Sequence, residues 1–157
     1  MSSRLKQKSS GQIYLKNVRS LKIGIAVSQW HPEVTKELAE GAVKLLTKNG
    51  IRKENIIRKN IPGSFELPLS ALLLIKKKKV DAVICLGCVI KGETDHYNYI
   101  CSAVSKGIMD VSLAHNKPVA FGILTTDNLE QALNRAGGKL GNKGEESAMA
   151  VLKMLAL

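Results

Sequence analysis

Along this chain, short strand-like segments alternate with segments of helical periodicity, and that alternation constrains the fold more than any other feature. Strands are expected over Leu21 to Val27, Ile56 to Ile61, Ala82 to Ile90 and Pro118 to Leu124. Between the first two, Val34, Leu38, Ala42, Leu45 and Leu46 recur at helical spacing, and Gly50 supplies the stop. A second helix is expected over Ser64 to Lys78, with Pro68 tolerated near its first turn. A long third helix runs from about Thr94 to His115, stacking Tyr97, Ile100, Cys101, Val104 and Ile108 on one face. A fourth begins at Asp127, which can cap it while Glu130 reaches back. A glycine-rich linker, Gly137 to Gly144, leads to a last helix, Glu145 to Leu157. Strands alternating with helices predict an α/β domain whose parallel sheet is covered on both faces.

At 157 residues, with 45% apolar and 24% charged side chains, the chain can bury one core and does not read as disordered. Its formal net charge of +11 invites a nucleic-acid reading. The excess is uneven, because Arg4, Lys6, Lys8, Lys16, Arg19 and Lys22 stand in a start without acidic residues. Residues 1–20 are therefore expected to form a mobile basic arm, and 21–157 a single domain. The run Lys76 to Lys79 falls in the last turn of a helix, where cations complement the dipole. No aromatic residues are interleaved with it to make a stacking platform, so no nucleic-acid partner is expected.

No run approaches the length of a membrane span, and the basic start lacks the apolar core of a secretory signal. Three cysteines without an export signal indicate a reducing, cytoplasmic setting. Cys85 and Cys88 have C-x-x-C spacing, but residues three apart on a strand point to opposite faces and cannot jointly grip a metal. They read as small buried hydrophobes.

In an open α/β sheet, ligands bind at the carboxyl ends of the strands, so the loops there are the place to look for chemistry. After the first strand comes Ser28-Gln29-Trp30-His31-Pro32, which holds the chain's one tryptophan, a planar face able to stack on a ring. After the second comes Pro62-Gly63-Ser64-Phe65-Glu66, whose hydroxyl and carboxylate suit a polyol. After the third, Gly92-Glu93-Thr94 opens a helix, where free N–H groups and the dipole favour an anion. His96 lies just inside that helix, in reach of such an anion and able to shuttle protons near neutral pH. Arg135 is a candidate for a forked phosphate clamp, while Lys139 and Lys143 read as solvated cations.

The stretches Ile61 to Pro68, Leu86 to His96, Leu124 to Asp127 and Arg135 to Gly144 together resemble the lumazine synthase family, in order from about Leu21 to the C-terminus. The resemblance implies a flavodoxin-like three-layer sandwich with a four-stranded parallel sheet. It also implies condensation of 5-amino-6-(D-ribitylamino)uracil with 3,4-dihydroxy-2-butanone 4-phosphate. The product is 6,7-dimethyl-8-ribityllumazine, in the penultimate step of riboflavin biosynthesis, without metal or organic cofactor. By resemblance, Trp30 stacks on the pyrimidine, Ser64, Phe65 and Glu66 bind the ribityl chain, and Cys88, Val89 and Ile90 line the ring with backbone. Phe121 is a wall of the ring pocket, while Glu93, Thr94 and Arg135 hold the phosphate. His96 is the proton donor and acceptor, and Lys143 falls on a lysine often found at the site. Lys91 stands where Arg is common, and Asn134 replaces a frequently acidic neighbour of Arg135, which puts an ion pair there in doubt.

The family pattern further implies a homo-oligomer with sites between adjacent subunits of a pentamer, Phe121 and Arg135 coming from the neighbour. The compact Gly137 to Gly144 segment resembles that of icosahedral 60-mers, and riboflavin synthase is a candidate partner. The alternatives are an archaeal-type riboflavin synthase of the same fold and, in a different class, a basic nucleic-acid-binding protein.

Overall fold

A computed structural model describes residues 13–157. Its central sheet is four-stranded and parallel, in the order β2-β1-β3-β4, with β1 Ile23–Ser28, β2 Ile56–Ile61, β3 Ala82–Ile90 and β4 Val119–Thr126. The helices are α1 Pro32–Lys48, α2 Leu67–Lys78, α3 His96–His115, α4 Leu129–Arg135 and α5 Lys143–Leu155. This is the expected three-layer α/β sandwich, and β1 and β3 flank the point where strand order reverses.

The sheet faces bury two separate cores. On one, Ile23, Ile25, Val27, Ile84, Leu86 and Cys88 meet α1 and α5 through Val34, Leu38, Leu46, Ala148 and Leu152. On the other, Ala26, Val83, Cys85 and Ile123 meet α2 and α3 through Leu67, Leu74, Val104 and Ile108. The alternation of side chains along β3 therefore sends Cys85 and Cys88 into different cores, as their spacing predicts. Burial pushes the Cys85 thiol up to about 12, and burial followed by the Glu33 carboxylate pushes Cys88 up to about 11, so both stay protonated.

The lysine run ends α2: Lys76, Lys77 and Lys78 occupy its last turn, and Lys79 closes it in the left-handed conformation. Among the described residues, no helix is long and apolar enough to cross a membrane.

Several boundaries differ from expectation. Residues 1–12 of the expected arm lie outside the described residues. Within 13–20, Leu15 is buried, Ile13 and Val18 pack on the α1/α5 core, and a 3-10 turn spans Val18–Ser20, so packing reaches into that segment. Helix α3 starts at His96, two residues after Thr94. The capping pair at α4 is shifted by one: Asn128 Oδ1 accepts from the Gln131 N–H at 2.9 Å, and Gln131 Oε1 accepts from the Asp127 N–H at 2.9 Å. Strand β4 runs on to Thr126 and Asn128 is extended (φ −151, ψ 169), so the geometry of a helix cap falls on Asn128 instead of Asp127.

The glycine-rich linker is a small antiparallel pair, β5 Ala136–Gly138 and β6 Gly141–Asn142. Asn142 then staples α5 to α1. Its Nδ2 donates to the Glu37 carbonyl at 2.9 Å, and its Oδ1 accepts from the N–H groups of Gly144 at 2.8 Å and Glu145 at 3.2 Å.

Candidate active site

The loop after β1 begins from a fixed backbone. Ser28 is fully buried, and the Gln29 N–H continues the β1–β2 pairing by donating to the Ile61 carbonyl at 2.9 Å. Trp30 follows, 67% exposed, and then His31 and Pro32 open α1. A Cβ placed on Gly63 would lie 3.4 Å from Trp30 Cδ1, 3.5 Å from Trp30 Nε1 and 3.0 Å from a Glu66 carboxylate oxygen. Glycine at 63 thus lets an indole edge and a carboxylate share one small space beside the β2–α2 turn. Ser64, nearly buried, lies across β3, its hydroxyl 2.6 Å from where a Gly87 Cβ would stand. Phe65 points outward, 60% exposed.

At the end of β3, Cys88 is buried, and Val89 and Ile90 are half-buried, packing on opposite cores. The Lys91 N–H donates to the Thr126 carbonyl at 2.9 Å, which ties the end of β3 to β4. From Lys91 to His96 every residue is exposed, Glu93 and Thr94 included. The space over Gly92 is open for at least 4 Å. His96 is the first residue of α3, and its N–H donates to Thr94 Oγ1 at 3.4 Å. The loop therefore presents a helix start with a histidine on it to solvent.

The remaining residues form a second group. Phe121 is half-buried near the middle of β4 on the α2/α3 face. Arg135 ends α4, where its Nη1 donates to the Leu140 carbonyl at 2.6 Å and to Glu146 Oε1 at 2.8 Å, and its Nη2 donates to Glu146 Oε2 at 2.9 Å. Lys143 Nζ donates to the same carboxylate at 3.4 Å. The hydrogen bonds from Arg135 hold the Glu146 carboxyl below its ordinary range, with the Lys143 charge adding to the effect. Arg135 is held more firmly protonated in turn, first by its hydrogen bond to Glu146.

Glu146 is the residue that the sequence reading missed. Its place three residues after Lys143 on a helix was the available signal for that pair. Its bond to Arg135 required the β5–β6 hairpin to bring the end of α4 beside the first turn of α5. The doubt raised by Asn134 is answered in the same way: Arg135 has an acidic partner, and it comes from α5.

Trp30, Gly63 and Glu66 are thus brought together, Ser64 is laid on β3, and the Cys88 to His96 stretch lies on the adjacent strand end. Arg135, Lys143 and Glu146 are joined to one another instead, and Phe121 lies on the edge strand β4, which β3 separates from β1. Two strand spacings amount to about 10 Å. A groove of about 230 Å³ between β2 and α2, lined by Lys59, Ile61, Leu73, Leu74, Lys77 and Lys78, contains none of these residues.

The family model described as 6,7-dimethyl-8-ribityllumazine synthase matches residues 20–157. A protein of that name from Cytophaga hutchinsonii is 60% identical over 156 residues, covering 99% of this chain and 98% of the relative. One from Parabacteroides distasonis is 47% identical over 135 residues, covering 86% of this chain and 84% of its own. One from Limosilactobacillus reuteri is 48% identical over 141 residues, covering 90% and 91%.

Proposed function

Because this chain belongs to the 6,7-dimethyl-8-ribityllumazine synthase family, we propose that it builds its active site from two groups of residues contributed by adjacent copies. The enzyme condenses 5-amino-6-(D-ribitylamino)uracil with 3,4-dihydroxy-2-butanone 4-phosphate. It forms 6,7-dimethyl-8-ribityllumazine, phosphate and water, the penultimate step of riboflavin biosynthesis. Family membership does not favour the archaeal-type riboflavin synthase or the nucleic-acid alternative.

One observation carries the two-copy reading: the stacking and polyol-binding groups cluster around Gly63, while the forked cation is joined to Lys143 and Glu146 at the start of α5 and touches none of them. In this reading Trp30 stacks on the pyrimidine, Ser64, Phe65 and Glu66 hold the ribityl chain, and the backbone of Cys88 to Ile90 lines the ring. Glu93 and Thr94 offer N–H groups to the phosphate. A neighbour supplies Phe121 as a wall and Arg135 as a clamp, with Lys143 beside it.

The amine of the uracil attacks the butanone carbonyl and water leaves, giving an imine. Phosphate then departs as an anion, ring closure follows, and a second water is lost. His96 is placed to move the protons these steps require. Most of the acceleration comes from holding the two reactants together, which can supply ~7–11 kcal/mol.

The decisive assay mixes both substrates and follows lumazine fluorescence; absence of product would refute the reading. Dilution to a verified monomer should abolish turnover, and persistent activity there would refute the shared site. The assembly is read as a 60-mer built of pentamers, for which sedimentation is the test and a lone pentamer the contrary result. A cytoplasmic setting and riboflavin synthase as a partner complete the proposal.

A further inference from the structure

His31 is one of four non-glycine residues with positive φ among the described residues (φ 53, ψ 61), and it alone borders the Trp30 loop. Two of the others, Lys79 and Asn116, close helices at their C-terminal ends, where the left-handed state is common. His31 stands at the opposite end of a helix, as the N-cap of α1, and makes no side-chain capping bond. N-cap residues are ordinarily extended. Helix capping therefore does not account for its conformation.

The geometry around it does. Two backbone anchors bracket Trp30. On one side the Gln29 N–H donates to the Ile61 carbonyl at 2.9 Å. On the other, the His31 carbonyl accepts from the N–H groups of Val34 at 2.9 Å and Thr35 at 3.0 Å. A single residue spans the gap, so the direction of its side chain is set by the dihedral angles at the joint. Pro32 narrows the choice further, because a residue before proline is disfavoured in the right-handed helical region. An extended residue at 31 would carry the chain onward along β1. The left-handed one turns it into α1 and leaves the indole edge against Gly63. Histidine tolerates that state better than most side chains, and a β-branched residue tolerates it poorly.

We propose that His31 is a positioning residue, whose left-handed backbone holds Trp30 against Gly63 so that the stacking face is set before substrate arrives. The proposal rests on the reading of Trp30 as the pyrimidine's stacking partner.

The chain contains one tryptophan, so its emission reports directly on this residue. In the full-length protein without substrates, His31→Asn should keep the parental emission maximum and acrylamide quenching. His31→Val should shift emission to longer wavelength and increase quenching. It should also raise KM for the ribitylaminouracil about tenfold, the order set by placing an unsuited side chain in the left-handed region, with a smaller change in kcat. A purely structural role would lower thermal stability and leave emission of the folded protein unchanged. Parental emission and KM in His31→Val, or an equal shift in His31→Asn, would overturn the proposal. Should His31→Val not fold, His31→Ala carries the same comparison against His31→Asn. If the parent forms no lumazine, the functional reading fails, and the emission series alone decides the joint.

Discussion

Arg135 and Glu146 form a two-point ion pair, Nη1 to Oε1 at 2.8 Å and Nη2 to Oε2 at 2.9 Å, across the β5–β6 hairpin that separates α4 from α5. The fork fixes the plane of the guanidinium, and the Leu140 carbonyl at 2.6 Å fixes its end. A phosphate reaching Arg135 therefore meets a cation that is already oriented.

Replacing the clamp should cost more than loosening it. Arg135→Ala removes the charged donors themselves and should raise KM for the butanone phosphate by about tenfold to a hundredfold. Glu146→Gln keeps the arginine and removes only its orienting charge, so about two- to fivefold is expected for this partly exposed pair. Steady-state kinetics with the second substrate saturating would test the order. An unaffected Arg135→Ala would contradict the clamp.

The same pair makes stability depend on acid. Arg135 holds the Glu146 carboxyl below its ordinary value of 4.5, so the carboxylate binds its proton less readily in the folded chain than in the unfolded one. Its stabilising contribution is present above about pH 4.5 and is lost as pH falls through the lower folded value. Thermal unfolding scanned from about pH 6 down to about pH 3 should show a smaller acid loss in Glu146→Gln than in the parent. Parallel curves would contradict this assignment.

His96 is exposed at the start of α3, and its proposed role is that of a proton carrier in a reaction dominated by proximity. His96→Ala should therefore slow turnover by about 10²-fold or more without abolishing it. Single-turnover lumazine formation measures the residual rate. Complete loss with substrate binding intact would mean that the histidine does more than move a proton.

Two glycines separate packing from function. A Cβ at Gly144 would collide with the Leu38 carbonyl, approaching its carbon to 2.6 Å, and backbone there cannot give way without parting α1 from α5. Gly144→Ala should destabilise the domain by about 3 kcal/mol or more in denaturant titration. Gly92 has nothing within 4 Å of its would-be Cβ, so Gly92→Ala should leave stability unchanged and act, if at all, on phosphate binding. Equal losses in the two variants would refute the packing argument.

Much of the architecture was legible in the chain because its signals are local. Strand β3 is buried from Ala82 to Cys88 and reads as one apolar run, and α1 repeats its apolar residues at helical spacing. The opposed directions of Cys85 and Cys88 follow from strand alternation alone. Legibility fell away where two local signals competed. Asp127 and Asn128 are both sound caps, and the length of β4 chose between them. The glycines from 137 to 144 read as a linker, yet their antiparallel pairing directs α5 back toward α4.

The sequence by itself determined a parallel α/β sandwich, the loops that carry its chemistry, and the kinds of side chain on them. Periodicity and strand-end topology are properties of neighbouring residues, so no contact between distant parts is needed to read them. Only the tertiary structure decided that Trp30 meets Gly63 beside Glu66, and that Arg135 is oriented by Glu146 in a separate group. Each of those relations depends on distances through space between loops. Such distances are set by how the helices pack on the sheet, and no spacing along the chain encodes them.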